Sequence, residues 1–167
     1  MTQMEFPSEG MMPDQFTAIA ECLSGLAEKL NVLAVLLIDG MGRVLAEKTI
    51  QATAVPNSET LGALATGSFA ASREMAKTIG ETDFQMVLLE GKDRSTYITA
   101  VTDDAFLVVV FSTKTALGMV RLFTRRSVEQ IRTVLARREK RPEPQFITPQ
   151  FQSLLDDRLD SVFNETM

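Results

Sequence analysis

From Pro13 the apolar residues Phe16, Ile19, Ala20, Leu23, Leu26, Ala27 and Leu30 recur at spacings of three and four, the repeat of a helix with one buried face. Pro13 suits its first turn, where a missing N–H is no loss, and Asn31 supplies a stop. The period then changes. Val32-Leu-Ala-Val-Leu-Leu-Ile38 is a continuous apolar run, as expected of a strand buried on both faces, and Asp39-Gly-Met-Gly42 predicts a hairpin turn into Arg43-Val-Leu-Ala-Glu47. After Pro56, Ser58 is a candidate cap for a second helix with the stripe Leu61, Leu64, Ala65, Ser68, Ser72, Met75 and Ile79, ending at Gly80. Small residues crowd that helix from Gly62 to Ser72, so either its own sheet or a flat partner can come close to its backbone.

Three strands follow at Met86–Glu90, Ser95–Val101 and Ala105–Phe111, joined by the turn-rich Gly91-Lys-Asp-Arg94 and Thr102-Asp-Asp104, and they read as an antiparallel meander. A third helix is expected from Thr113 or Thr115, with Leu117, Val120, Val128, Ile131 and Leu135 inside and the basic run Arg137-Arg-Glu-Lys-Arg141 at its end, where cations complement the helix dipole. Pro142, Pro144 and Pro149 break the helix. The last segment, Phe151 to Phe163, carries Phe151, Leu155, Leu159, Val162 and Phe163 on one stripe and Asp156, Asp157 and Asp160 largely elsewhere. An isolated helix of about 12 to 15 residues is marginal in water, so this segment needs a surface, either its own domain or a partner groove. The expected division is a flexible lead-in over 1–12, one domain over 13–141, a linker over 142–149 and an amphipathic helix over 150–167. The fold class is α/β layers: a five-stranded antiparallel sheet with three main helices, too few to cover both sheet faces, which favours dimerisation.

The 167 residues, 45% hydrophobic and 23% charged, suffice for one real core plus a tail. A net charge of -5 and the lack of an aromatic-plus-basic stretch argue against nucleic acid and against an acidic membrane surface. No apolar run approaches the roughly 20 residues of a membrane-spanning helix. The start has neither the basic residues nor the apolar run of a signal peptide, and the cytoplasm is the expected compartment.

Candidate chemistry is sparse. There is no histidine, and Cys22, the only cysteine, reads as a small buried residue on the first helix. The carboxylates form no paired acid-base or metal motif, and Asp39-Gly-Met-Gly42 lacks the helix that must follow a phosphate loop, so neither intrinsic enzyme activity nor a cofactor or metal is expected. Arg121 and Arg125 lie four apart on the third helix beside Arg126, where they either stay solvated or meet an acidic partner.

Leu64-Ala-Thr-Gly-Ser68, Ala76-Lys-Thr-Ile-Gly-Glu81, Val108-Val-Val-Phe111 and Leu117-Gly-Met-Val-Arg-Leu122 resemble Roadblock/dynein light chain proteins, most of all the MglB group of bacterial polarity regulators, over about residues 13 to 140. The stretch from Leu154 to Phe163 resembles that group's acidic-apolar tail. The resemblance implies a homodimer whose sheets join and whose paired second helices form a platform for a Ras-like small GTPase of the MglA type. It further implies stimulation of GTP hydrolysis without an arginine finger, by reshaping the GTPase so that its own arginine and glutamine surround the phosphates. A cytoplasmic protein enriched at a cell pole, acting in polarity or motility, would follow. By position the platform would include Ala70, Arg73 and Glu74, with Arg121, Arg125 and Arg126 as further contacts and Leu155, Leu159 and Phe163 anchoring the tail on the GTPase. Relatives carry small or uncharged residues where this chain has Arg73-Glu74, which leaves open an adaptor of the same fold that binds without stimulating hydrolysis.

Overall fold

The first helix, α1 (Pro13–Leu30), starts on its proline and ends on Asn31, which takes a left-handed conformation with φ 48° and returns its N–H to the Ala27 and Glu28 carbonyls. In this computed structural model residues 11–137 are described; the first ten residues lie outside them, as do the expected linker and tail with Leu155, Leu159 and Phe163. Next come β1 (Ala34–Asp39), β2 (Val44–Thr49), a short 3-10 turn at Ala52–Ala54 and α2 (Ser58–Thr78). The described chain closes with β3 (Met86–Glu90), β4 (Arg94–Thr102), β5 (Ala105–Ser112) and α3 (Leu117–Ala136).

The strands form one antiparallel sheet in the order β2-β1-β5-β4-β3. Its centre, β1 against β5, is apolar on both faces. Val35, Leu37, Leu107 and Val109 point into the core shared with α1 and α3, while Leu36, Ile38, Phe106 and Val108 point into the core under α2. Among the described residues the result is three layers, with α1 over β1 and β2, α3 over β4, and α2 on the opposite face.

Two polar positions organise the α1/α3 layer. Gln15 is buried; its side-chain oxygen accepts the Met12 N–H at 3.1 Å and its amide donates to the Val134 carbonyl at 2.9 Å, clamping the start of α1 to the end of α3. Thr124 is fully buried in α3, and its hydroxyl has no partner among the described residues. An unmet hydroxyl in an apolar core costs about 1 to 3 kcal/mol, whereas valine has nearly the same shape and nothing to satisfy. Thr124→Val is therefore expected to stabilise the fold by about 1 kcal/mol, seen as a higher denaturation midpoint; a lower midpoint would mean that the hydroxyl is satisfied.

The hairpin turn is built around Asp39. Its Oδ1 accepts the N–H groups of Met41 and Arg43, each at 2.9 Å, and Oδ2 meets the Arg43 Nε at 2.7 Å. Partial burial by itself would raise the carboxyl pKa, but these hydrogen bonds and the Arg43 charge outweigh it and hold Asp39 below the usual range. Gly42, at φ +85°, passes so close to α2 that a Cβ there would lie 2.6 Å from the Ala63 Cα, and a Cβ on Gly62 would strike the Gly42 carbonyl. Turn and helix thus touch backbone to backbone.

Several expectations need correction. The cap of α2 is Asn57, whose side chain accepts the Thr60 N–H at 2.8 Å; Ser58 is already helical. Its buried face is Gly62, Ala65, Phe69 and Ala76, so Leu64, Met75 and Ile79 of the expected inner stripe point to solvent. Phe69 decides the rotation, since its ring packs between Phe84 and Phe106 at centroid distances of 5.2 and 4.7 Å. The first strand begins at Ala34 because Val32 still donates to the Ala27 carbonyl of the helix end, and α3 begins at Leu117 after a turn at Ser112–Thr115. Cys22 is half-buried, in the seam between α1 and α3, where its Sγ lies 3.7 Å from the Ser127 carbonyl and 3.4 Å from the Gln130 Oε1. Burial raises its pKa, only partly offset by the Ser127 contact and Lys29.

Candidate functional site

Because α2 is the only described helix on its side of the sheet, the face it turns from the core is exposed among the described residues. That face has two flanks. Along one, Leu64, Ala71, Met75 and Ile79 follow one another at seven and four residues, and the three large side chains are 66%, 65% and 84% exposed. Along the other run Ala63, Gly67, Ala70 and Glu74, all exposed, and a Cβ on Gly67 would meet nothing within 4 Å. One flank is greasy; the other is thin enough for a second backbone to lie against it.

Beside α2 the described sheet ends at β3, whose outer edge pairs with no strand among the described residues. Leu89 alternates with the buried Val87 and so faces the α2 side, where it is 50% exposed. A strand edge open among the described residues next to an exposed apolar helix flank leaves both main-chain hydrogen bonds and apolar burial on offer.

The predicted site residues separate into two groups. Ala70 and Glu74 stand on the open flank of α2, and Glu74 is already paired with Lys77 at 2.7 Å. The hydrogen bond and charge of Lys77, with a smaller contribution from Arg73, hold the Glu74 carboxyl below its ordinary range. Arg73 leans toward the sheet and is only partly exposed, its Nε buried without a partner among the described residues. Arg121, Arg125 and Arg126 lie on α3, across the sheet, so one protomer does not bring them to the α2 flank. Arg126 stacks over the Phe123 ring at 5.6 Å, with Lys29 at 5.9 Å. Arg121 sits near Tyr97, whose pKa is raised by burial and drawn back partly by that charge.

Leu64, Met75, Ile79 and Leu89 are the residues that sequence reasoning did not place in the site. Phe69 was the available signal: as the bulkiest apolar side chain of α2 it had to point inward, which turns Leu64 and Met75 out. Among the described residues, no group of three or more His, Cys, Asp or Glu residues could hold a metal. None of the described helices is long and apolar enough to cross a membrane.

Comparison with known proteins agrees with this architecture. The Roadblock/LC7 domain family model matches residues 18–111. No curated protein matches the chain. Among solved structures, Myxococcus xanthus MglB is similar at 29% identity and a TM-score of 0.71, covering 80% of this chain and 98% of that one. The gliding protein MglB of Thermus thermophilus is similar at 30% identity and a TM-score of 0.70, covering 78% of this chain and 97% of its own. An MglB with tetrameric arrangement follows at 28% identity and a TM-score of 0.72, covering 80% and 99% respectively. With more than half its length matched by the family model and this likeness to the MglB structures, the chain belongs to the Roadblock/LC7 family.

Proposed function

We propose that this protein is a homodimeric activator of a Ras-like, MglA-type small GTPase in bacterial cell polarity or motility. The carrying observation is the two-flanked outer face of α2 on a chain similar to MglB proteins over nearly their whole length. In this reading the apolar flank and the β3 edge join two protomers, and the flank of Ala63, Gly67, Ala70 and Glu74 receives the GTPase. The protein contributes a surface and no reacting group, so acceleration comes from holding the GTPase with its own arginine and glutamine around the phosphates. Arg121, Arg125 and Arg126 then act, if at all, by docking from α3, and the tail with Leu155, Leu159 and Phe163 engages a second region of the GTPase.

Phosphate release by the Ras-like GTPase of the same source, measured with and without this protein while complex formation is followed, tests the proposal. Acceleration supports it. Binding with unchanged turnover favours the adaptor reading, which the charged Arg73-Glu74 pair motivates, and the absence of binding sinks both. Ala70→Arg adds bulk and charge on the GTPase flank and is expected to weaken GTPase binding about tenfold or more with the dimer intact; loss of the circular-dichroism signal instead would place Ala70 in the core.

A further inference from the structure

We propose that the seam between α1 and α3 is the docking surface of the chain's own carboxyl-terminal segment, Phe151 to Phe163. The seam opens as a recess of about 240 Å³ lined by Cys22, Gly25 and Leu26 of α1 and by Phe123 of α3. A Cβ on Gly25 would meet nothing within 4 Å, so another helix has room to lie close against α1 there. On α3 the apolar strip continues beyond the recess, since Met119 and Leu122 are exposed and share one side of the helix with Phe123 at the i, i+3 and i+4 positions.

The rim of this recess is positive. The Lys29 Nζ and the Arg126 guanidinium carbon lie 5.9 and 5.6 Å from the centre of the same Phe123 ring, and neither residue forms an ion pair among the described residues. Glu21 also lines the recess, one carboxylate against the two cations. Two cations gathered over one ring repel each other, and an acidic occupant relieves that repulsion.

The segment from Phe151 to Phe163, which lies outside the described residues, answers both features. Its stripe of Phe151, Leu155, Leu159, Val162 and Phe163 matches the apolar strip, and Asp156, Asp157 and Asp160, against the single cation Arg158, match the rim. As a helix it would be about 20 Å long, and the seam from Met119 to Gln130 runs about 17 Å. The path is short enough: Phe123 lies roughly 20 Å back along α3 from its end, and residues 138–150 reach up to about 40 Å. Tethering holds the segment at an effective concentration of about millimolar, so a modest affinity keeps it docked. The docking is internal to the chain and does not depend on the GTPase reading; a tail that also reaches a GTPase must first leave the seam.

The test uses the full chain and its only cysteine. Cys22 stands in the seam, so a docked segment covers its thiol, and the rate of alkylation by iodoacetamide reads the docking. Replacing Leu155 and Leu159 together by aspartate is expected to speed alkylation about tenfold. Met119→Asp should speed it as well: the side chain is exposed, and its place about 12 Å along α3 from Ser127, the neighbour of Cys22, is too far to act on the thiol directly. Both variants should keep the helical circular dichroism of the parent, and the protection should not depend on protein concentration. Equal rates in the parent and the Leu155/Leu159 variant would overturn the proposal, as would protection that ignores the tail substitutions and fades on dilution, which would seat a second copy in the seam.

Discussion

Met75→Asp is expected to turn the proposed dimer into monomers and, with it, to remove the proposed stimulation of GTP hydrolysis. Met75 stands on the apolar flank of α2 with 65% of its surface exposed, between Ala71 and Ile79. Burying such a side chain against a partner contributes roughly 1.5 to 3 kcal/mol, and a two-fold axis applies every change twice. A buried, unpaired aspartate replaces that gain with a desolvation cost, so dimer affinity should fall at least about a thousandfold. Because Met75 points to solvent in the protomer, folding should be untouched. Sedimentation of the variant, beside its helical circular dichroism, separates the outcomes: a folded monomer agrees with the assignment, and an unchanged dimer would move the interface elsewhere. The same variant distinguishes the two flanks, since Ala70→Arg is expected to spare the dimer.

Phe69→Ala acts on the inner side of the same helix and should be the most destabilising single change in the described domain. Phe69 is 1% exposed and is the one large fully buried side chain by which α2 meets the sheet, through Phe84 and Phe106; its buried companions on that face are Gly62, Ala65 and Ala76, with Leu61 partly buried beside them. Truncation of a buried phenylalanine costs about 3 to 5 kcal/mol, a large part of the roughly 5 to 15 kcal/mol by which a domain is stable. Denaturant unfolding should show a midpoint shift of that size. A cost below about 1 kcal/mol would mean that the backbone contact between Gly62 and Gly42 holds α2 without help.

Much of this fold was legible in the chain before any coordinates. Met86–Glu90 is a strand where the alternation placed it, α1 runs from Pro13 to Leu30, and the Asp39–Gly42 turn folds back as its glycines require. The rotation of α2 was not legible by counting apolar positions, because alanines and glycines score as apolar on every side and let two stripes compete. Size, not hydrophobicity, resolves them, and Phe69 carries the size. For the candidate site, Ala70 and Glu74 are exposed on α2, whereas the distance between them and the α3 arginines could not be read locally. Which sheet face a helix takes depends on the strand order. Gln15 shows the same limit: a polar residue in a first turn becomes buried only because the Val134 carbonyl, 119 residues away, is brought to it.

The central pairing of β1 with β5 sets when this protein can begin to exist. Val35 meets Val109 and Leu37 meets Leu107, so the most apolar strand of the chain finds its inner neighbour only after some seventy further residues have been made. Until Ala105–Ser112 leaves the ribosome, the β1–β2 hairpin carries a sticky open edge with nothing native to cover it. Synthesis thus passes through an interval of vulnerability to aggregation, and a chain that stops short of Ala105 has no middle to its sheet.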